Sequence, residues 1–147
     1  MKFPYAVFPA LPDAAFPNRR SVARPIVSVL LQKDGLSLSC YALIDSGADV
    51  CTFPASFAAQ LGIAIPNPKT YVFSGTADQP QTAYFENVQA TIWNRNTSEK
   101  PITFDLYAGF CDTLEHVGLG LLGQDGFFSR FKISMDRANT VFEVTPA

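Results

Sequence analysis

The sequence predicts an all-β domain, and three observations carry that prediction. Residues 26–33 are rich in Val, Ile and Leu, Asp34-Gly35 supplies a two-residue turn, and residues 36–45 return as a second strand. Residues 132–136 and 140–144 form another predicted hairpin near the C-terminus. Apolar side chains also recur at every second position of the strand over residues 36–45, which indicates a side that faces a core.

This alternation assigns each side chain of residues 36–45 to one face of the sheet. One face carries Leu36, Leu38, Cys40, Ala42 and Ile44. The opposite face carries Tyr41, Leu43 and Asp45. Because both faces are apolar near the end of the strand, we expect a central strand that is covered on both sides.

Further strands and one or two short helices are predicted between these hairpins. One helix starts at Pro54 and ends at Gly62, and a second is predicted over residues 124–131. The other strands are predicted at residues 50–53, 70–74, 82–85, 88–93, 102–106 and 119–123. The small and polar segment 75–81 is either a flap that covers a site or an ordinary surface loop.

The composition fits one compact domain with an N-terminal arm. The chain has 147 residues, of which 48% are apolar and 16% charged, so it can bury a core. Residues 21–147 are assigned to the domain. Residues 1–20 mix prolines with aromatic residues, which predicts an extended arm across the body or across a partner subunit. The 13 phenylalanines suggest that some line a groove or an interface.

Charge and hydropathy argue against several partners and ligands. The net charge is −2, and Arg19, Arg20 and Arg24 form the only basic cluster, so no nucleic-acid partner is expected. No apolar run reaches the length of a membrane span. The three cysteines lack metal-ligand spacing and are odd in number, which predicts buried thiols in a reducing, cytoplasmic setting. His116, the only histidine, is expected to be a solvated loop residue, and no metal site is predicted.

The stretch over residues 42–50 places a carboxylate directly after an apolar strand. Asp45 is followed at once by Ser46, Gly47 and Ala48. Burying a carboxylate costs free energy unless its surroundings hold and pair it. Two interpretations are open at this point. Asp45 either caps its own loop in an Asx turn, or is a catalytic group presented by a tight glycine turn.

Three features together resemble the retropepsin-like aspartic proteases, over about residues 24–145. Residues 42–48, Ala-Leu-Ile-Asp-Ser-Gly-Ala, match the apolar–Asp-Thr/Ser-Gly-Ala loop of that family. The pattern strand, glycine tip, strand at about residues 70–86 lies in the place of the family's flap. Leu121-Leu122-Gly123-Gln124-Asp125 looks like its apolar-apolar-Gly segment. The resemblance implies an acid-protease half-barrel with a flap hairpin.

The resemblance also implies a role for each residue of these segments. Two aspartates that share one proton activate a water molecule, without a covalent intermediate, metal or cofactor. Asp45 would be catalytic, Gly47 would allow the tight turn, Ser46 would bond across a two-fold axis, and Ala48 would leave room beside the dyad. Ser74, Gly75, Thr76 and Ala77 would cover the substrate. Leu122, Gly123 and Asp125 would support the loop, with Asp125 at the start of a helix.

Only one Asp-Ser-Gly segment occurs in the chain, so a second copy must supply the second aspartate. The expected assembly is a two-fold homodimer with Asp45 of each subunit at the axis, acting on an extended peptide or protein substrate. Two departures from the family pattern stand out. Gln124 occupies the position of an arginine in retroviral members, which favours a cellular type, and the N-terminal arm is not part of the shared pattern.

Two other functions fit parts of the sequence. The chain could keep the fold as a catalytically inactive peptide-binding or assembly module, because fold alone does not fix function. A hydrolase that uses Asp45 as a nucleophile toward phosphate is the weakest alternative. The second acidic residue and the Lys/Arg support expected near a phosphate do not accompany Asp45.

Overall fold

The computed structural model describes residues 1–74 and 79–147. They form one α-helix, α1 (Ala55–Gln60), one short 3₁₀ helix (Asp112–Leu114) and twelve strands. The strands are β1 (Lys2–Pro4), β2 (Ala6–Pro9), β3 (Ser21–Arg24), β4 (Ile26–Lys33), β5 (Leu36–Ile44), β6 (Thr52–Pro54), β7 (Thr70–Phe73), β8 (Gln81–Trp93), β9 (Ile102–Cys111), β10 (Gly120–Leu122), β11 (Phe131–Asp136) and β12 (Val141–Pro146). The prediction of an all-β fold is confirmed.

Six of these strands close into a barrel. Hydrogen-bonded neighbours follow the order β4-β5-β10-β6-β9-β8, and β8 pairs with β4 to close the ring. β7 extends this sheet beyond β8 and is its end strand. Side chains from alternate positions of four barrel strands are buried in the main core, namely Val27, Val29, Leu31, Ala42, Ile44, Ala90, Ile92 and Leu106. The period of two seen in the sequence therefore selects the core residues.

The predicted inner face of β5 is buried only near the end of the strand, because Leu36 at its start is 48% exposed and Leu38 and Cys40 are half-buried. Ala42 and Ile44 are buried, as expected for the inner face. Tyr41 on the opposite face is 49% exposed, so the prediction that both faces are covered is wrong for this chain. β5 pairs with β4 and β10, so the prediction of a central strand is confirmed. Tyr41 faces solvent because pairing along the two edges of a strand does not cover its outer face.

The predicted N-terminal arm divides into two parts with different environments. β1 pairs with β12 and so joins the C-terminal hairpin in a three-stranded sheet. Phe3 and Tyr5 are buried against Phe142, with ring centroids 5.2 and 5.6 Å apart. β2 and β3 form a separate two-stranded ribbon, whose large apolar side chains Val7 and Phe8 are exposed. The first residues of the chain therefore pack on the body.

The first predicted helix is confirmed and the second is wrong. α1 begins after Pro54 and ends before Gly62, whose φ of 68° lies in the left-handed region. Residues 124–130 form turns instead of a helix, because Gly126 has a φ of 101° that a helix cannot contain. None of the helices formed by residues 1–74 and 79–147 is long and apolar enough to cross a membrane.

The hairpin of β7 and β8 has a longer second strand than predicted. Residues 82–85 and 88–93 belong to one continuous strand, β8, which spans 13 residues. The polar pair Glu86-Asn87 does not interrupt it, because both residues stay in register with Ala108 and Tyr107 of β9. β7 pairs with the first part of β8, so the two arms of the predicted flap form a hairpin. Its tip at residues 75–78 lies outside the described part of the chain.

We expect Phe142→Ala to lower the free energy of unfolding by about 3–5 kcal/mol, because it removes a fully buried ring. Phe8→Ala is the matched control, since Phe8 is 41% exposed in the β2–β3 ribbon and its loss should cost less than about 1 kcal/mol. Urea denaturation followed by tryptophan fluorescence measures both values. Equal losses for the two variants would contradict the packing of β1 against β12.

Candidate active site

β10 brings the Asp45 loop and the Leu-Leu-Gly segment together. This short strand runs parallel to β5, with Leu122 opposite Ile44, and it also contacts β6 through Leu121 and Thr52. The Asp45 N–H donates a hydrogen bond to the Leu122 carbonyl at 3.1 Å, directly after the strand. Two segments that lie far apart in the sequence are therefore neighbours in the fold.

The Asp45 carboxylate is held by its own loop. Its Oδ1 accepts the Gly47 N–H at 2.9 Å, and the Asp45 carbonyl accepts the Ala48 N–H at 3.2 Å. This is the Asx turn that the sequence analysis left open. Asp45 is half-buried, and Ser46 and Gly47 are exposed beside it. The turn does not exclude a chemical role, because one carboxylate oxygen in a turn leaves the other available.

Gly123 is required by a close approach of two backbones. A Cβ atom at this position would come within 2.5 Å of the Ala48 carbonyl oxygen and closer still to that of Val50. The next two residues continue the contact, since the Gln124 and Asp125 N–H groups donate to the Ala48 and Asp49 carbonyls, each at 2.8 Å. These bonds fix the second half of the Asp45 loop on the residues that follow β10.

The Gln124 side chain binds the first half of the Asp45 loop, at Ser46. Its Nε2 donates to the Ser46 carbonyl at 2.7 Å. The sequence identified Gln124 only as a departure from the retroviral arginine, and gave no sign of this contact. The glutamine thus supports the loop through an amide hydrogen bond, which adds no charge next to Asp45.

Cys51 lies beneath the loop as a structural thiol that the sequence did not single out for this role. It is fully buried, and its Sγ accepts the Gly123 N–H and lies within bonding distance of the Asp125 carbonyl, both at 3.3 Å. Burial raises the pKa of the Cys51 thiol to about 11. The group is therefore protonated near neutral pH, and can donate to a carbonyl while it accepts from an N–H.

Asp125 contributes differently from the prediction. It was expected at the start of a helix, but no helix forms over residues 124–130, and its side chain is exposed. Asp125 instead supports the Asp45 loop through its main chain. Its N–H donates a hydrogen bond to the Asp49 carbonyl, and it forms a parallel bridge with Val50. Gly126, in its left-handed conformation, turns the chain at this point and so ends any helical geometry.

A cavity of about 400 Å³ opens beside Asp45. Its lining combines the Asp45 loop, the neighbouring strands and the β7 arm of the hairpin: Asp45, Gly47, Ala48, Asp49, Val50, Thr52, Tyr71, Phe73, Ser74 and Leu121. Of the predicted covering residues, Ser74 lines this cavity, and Gly75, Thr76 and Ala77 lie outside the described residues. Tyr71 and Phe73 were not predicted as lining residues, although alternation along β7 places both on the same face.

The lining is apolar with two carboxylates. Among the described residues that line the cavity, three have ionisable side chains: Asp45, Asp49 and Tyr71. In the same part of the chain, no three His, Cys, Asp or Glu side chains are grouped as a metal ion would require. His116 is exposed, as expected. A cavity of this size can hold part of a ligand, and a carboxylate at its wall can accept or deliver a proton there.

The comparisons with known proteins add no relative. No protein-family model matches this sequence, and no curated protein matches it either. The case for a function therefore depends on the motifs and on the geometry around Asp45. That geometry joins a carboxylate held by a glycine turn, a close backbone crossing at Gly123 and an apolar cavity.

We expect Gly123→Ala to be destabilising by roughly 2–4 kcal/mol, because the added methyl group forces apart two backbones that cannot yield as a side chain would. Gly35→Ala is the control. Gly35 has a φ of 84° but open space around it, so only conformational strain of about 1 kcal/mol is expected. Chemical denaturation gives both values, and equal losses would argue against the crossing at Gly123.

Proposed function

We propose that this chain is an aspartic endopeptidase of the retropepsin-like type, which acts as a homodimer with Asp45 from each subunit. The observation that carries the proposal is the placement of the Asp45 carboxylate. It is fixed by the Gly47 N–H at 2.9 Å and lies at the wall of an apolar cavity beside the β7–β8 hairpin. Two of the segments that carry the family resemblance, the Asp45 loop and Leu122-Gly123, are in direct contact, which supports the proposal.

The proposed chemistry needs a pair of carboxyl groups that share one proton. Two carboxylates at hydrogen-bonding distance repel each other when both are charged, so one keeps its proton and the other stays ionised. The ionised group takes a proton from water as the water oxygen attacks the scissile carbonyl carbon. The protonated group donates a hydrogen bond to the carbonyl oxygen. Collapse of the tetrahedral intermediate then re-forms the C=O bond and breaks the C–N bond, and the leaving amine takes up the proton that the first carboxylate removed from water, which restores the starting state of the pair.

A second copy of the chain would complete this pair. The sequence contains one Asp-Ser-Gly segment, and Ser46 and Gly47 are exposed next to Asp45. A two-fold axis at this loop would bring the same surface of both subunits together, so that each provides one aspartate. Ser46 would then be placed to bond across the axis, as the resemblance implies.

An extended peptide is the substrate that the surroundings of Asp45 favour. β7 is the end strand of its sheet, so the main-chain groups along its outer edge are available to a peptide strand. Tyr71 and Phe73 of the same strand line the cavity and offer contacts to apolar side chains. Main-chain pairing would supply affinity, and the cavity would supply selectivity.

We also propose a reducing compartment, such as the cytoplasm, as the place of action. Cys40, Cys51 and Cys111 are free thiols, and two of them are buried. Burial raises the pKa of the Cys40 thiol to about 12, so this group too remains protonated. Free thiols of this kind are typical of proteins that fold under reducing conditions.

The second candidate is a peptide-binding or assembly module without turnover. The observation that favours it is that one chain carries half of the proposed dyad, so a protein that stays monomeric would bind peptides beside β7 but not cleave them. Cleavage and assembly must therefore be measured separately.

Asp45→Asn should abolish peptide hydrolysis, with a loss of at least roughly 10²–10⁴-fold in kcat/KM, because the amide can neither share nor accept the catalytic proton. Asp105→Asn is the control, since Asp105 is an exposed residue of β9 away from the cavity. Cleavage of an unfolded protein between pH 3 and 8 is followed by mass spectrometry. Equal cleavage by wild type and Asp45→Asn would rule out the proposed chemistry.

Mixing the subunits tests the shared site. Excess Asp45→Asn protein should inhibit the wild type at saturating substrate, because mixed dimers contain a single aspartate at the axis. Asp105→Asn protein, added in the same amount, should not inhibit. Sedimentation velocity gives the mass of each sample. A wild type that is active as a monomer, or that is unaffected by the excess, would contradict the dimeric site.

A further inference from the structure

A row of four aromatic rings leads away from the Asp45 cavity along the β7–β8 hairpin. The rings of Phe73 and Tyr71 are 6.3 Å apart, those of Tyr71 and Phe85 are 6.2 Å apart, and those of Phe85 and Tyr107 are 5.0 Å apart. These four residues come from three neighbouring strands, β7, β8 and β9. We call them the aromatic row.

The far end of the aromatic row borders a second cavity, of about 270 Å³. Its lining residues are Pro68, Lys69, Thr70, Tyr71, Phe85 and Tyr107. Tyr71 lines both this cavity and the one beside Asp45, so the two spaces are adjacent. The row therefore joins two cavities, only one of which the proposed chemistry uses.

Two rings of the row, Tyr71 and Tyr107, are not needed to fill the core. Phe85 is buried, but Tyr71 is 38% and Tyr107 is 48% exposed. Gly109 makes the arrangement possible, because a Cβ atom there would come within 2.8 Å of the Phe85 ring. Phe85 thus lies against bare backbone, and Tyr107 packs on it with much of its own surface free.

The charges around the second cavity cancel. The Lys69 ammonium, its only basic group among the described residues, donates to both carboxylate oxygens of Glu86 at 3.2 and 3.3 Å. An acidic ligand at this cavity would therefore have to compete with Glu86 for the Lys69 ammonium. Exposed aromatic faces favour aromatic side chains and proline rings instead.

We propose that the aromatic row is a remote binding site for the substrate, which takes an aromatic or proline side chain several residues from the bond that is cut. This inference rests on the proposed function. The row has three steps of 5.0–6.3 Å between Phe73, which lines the Asp45 cavity, and Tyr107, and an extended peptide rises about 3.3 Å per residue, so a peptide lying over the row would cover this span with roughly three to five residues. Because β7 is the end strand and β8 and β9 lie inside it, a peptide that follows the row would run across the faces of these strands, from the Asp45 cavity to the second cavity.

Tyr107→Ser is the informative variant, because it removes the outermost ring without opening the core. Tyr41→Ser is its matched control, since Tyr41 is also a barrel tyrosine and is 49% exposed, but lines neither cavity. Tyr107→Phe keeps the ring and should behave as wild type. Thermal unfolding of all variants establishes that each one folds.

The probe is a library of synthetic decapeptides, analysed by mass spectrometry after cleavage. Wild type should enrich Phe, Tyr, Trp or Pro three to five residues from the cut bond on one side. Tyr107→Ser should lose this enrichment, with about a tenfold fall in kcat/KM for the preferred peptides and an unchanged preference next to the cut bond. Tyr41→Ser should retain both. An unchanged profile for Tyr107→Ser would overturn the inference and leave the proposed function standing.

A binding experiment separates the inference from the proposed chemistry. Immobilised Asp45→Asn protein is offered the same decapeptides, and the double variant with Tyr107→Ser serves as the comparison. If wild type cuts nothing, but capture of aromatic peptides falls about tenfold in the double variant, the proposed function fails and the remote site stands. If captured peptides show no dependence on Tyr107, the remote site is ruled out.

Discussion

The backbone crossing at Gly123 is the constraint on which the rest of the site depends. Strand β10 is only three residues long, yet it lies between β5 and β6 and places Gly123 against the carbonyls of Ala48 and Val50. Any side chain at this point would push the Asp45 loop away from the barrel. With glycine, the N–H groups after β10 donate hydrogen bonds to the loop carbonyls. The Gln124 side chain donates to the Ser46 carbonyl, and the Cys51 thiol accepts the Gly123 N–H.

This arrangement explains how an exposed loop can hold a carboxylate in one position. Hydrogen bonds from Gly47 and to Leu122 hold Asp45 on both sides, and the strands beneath it are part of a closed barrel. In the proposed reaction, the Asp45 carboxylate would need such a fixed position, because small displacements of a catalytic group lower the rate of proton transfer. Loop support comes mainly from the backbone, and among the described residues that line the cavity none is basic.

The hairpin and the Asp45 loop suggest a division of labour. Asp45 would provide chemistry, whereas β7 and the aromatic row would hold the peptide through its main chain and its larger side chains. The proposed dimer adds a further condition, since each chain carries one aspartate and the same exposed loop. In this scheme, catalysis depends on assembly, and recognition depends on each subunit by itself.

The sequence by itself determined the hairpins at residues 26–45 and 132–144, most strands of the barrel and the Asp45 loop, because period-two burial and turn residues act locally. It did not identify β1, β2 and β3, which form only by pairing with partner strands. It failed at residues 124–130, where a short helix was predicted but the positive φ of Gly126 decides the conformation. It also missed the contacts of Gln124, Cys51, Tyr71 and Tyr107. The contacts of Gln124 and Cys51 join segments 78 and 72 residues apart in the chain, and those of Tyr71 and Tyr107 cross between neighbouring strands of the barrel sheet. Long-range pairing, which no local pattern encodes, therefore decided how the predicted carboxylate is supported and which cavities lie beside it.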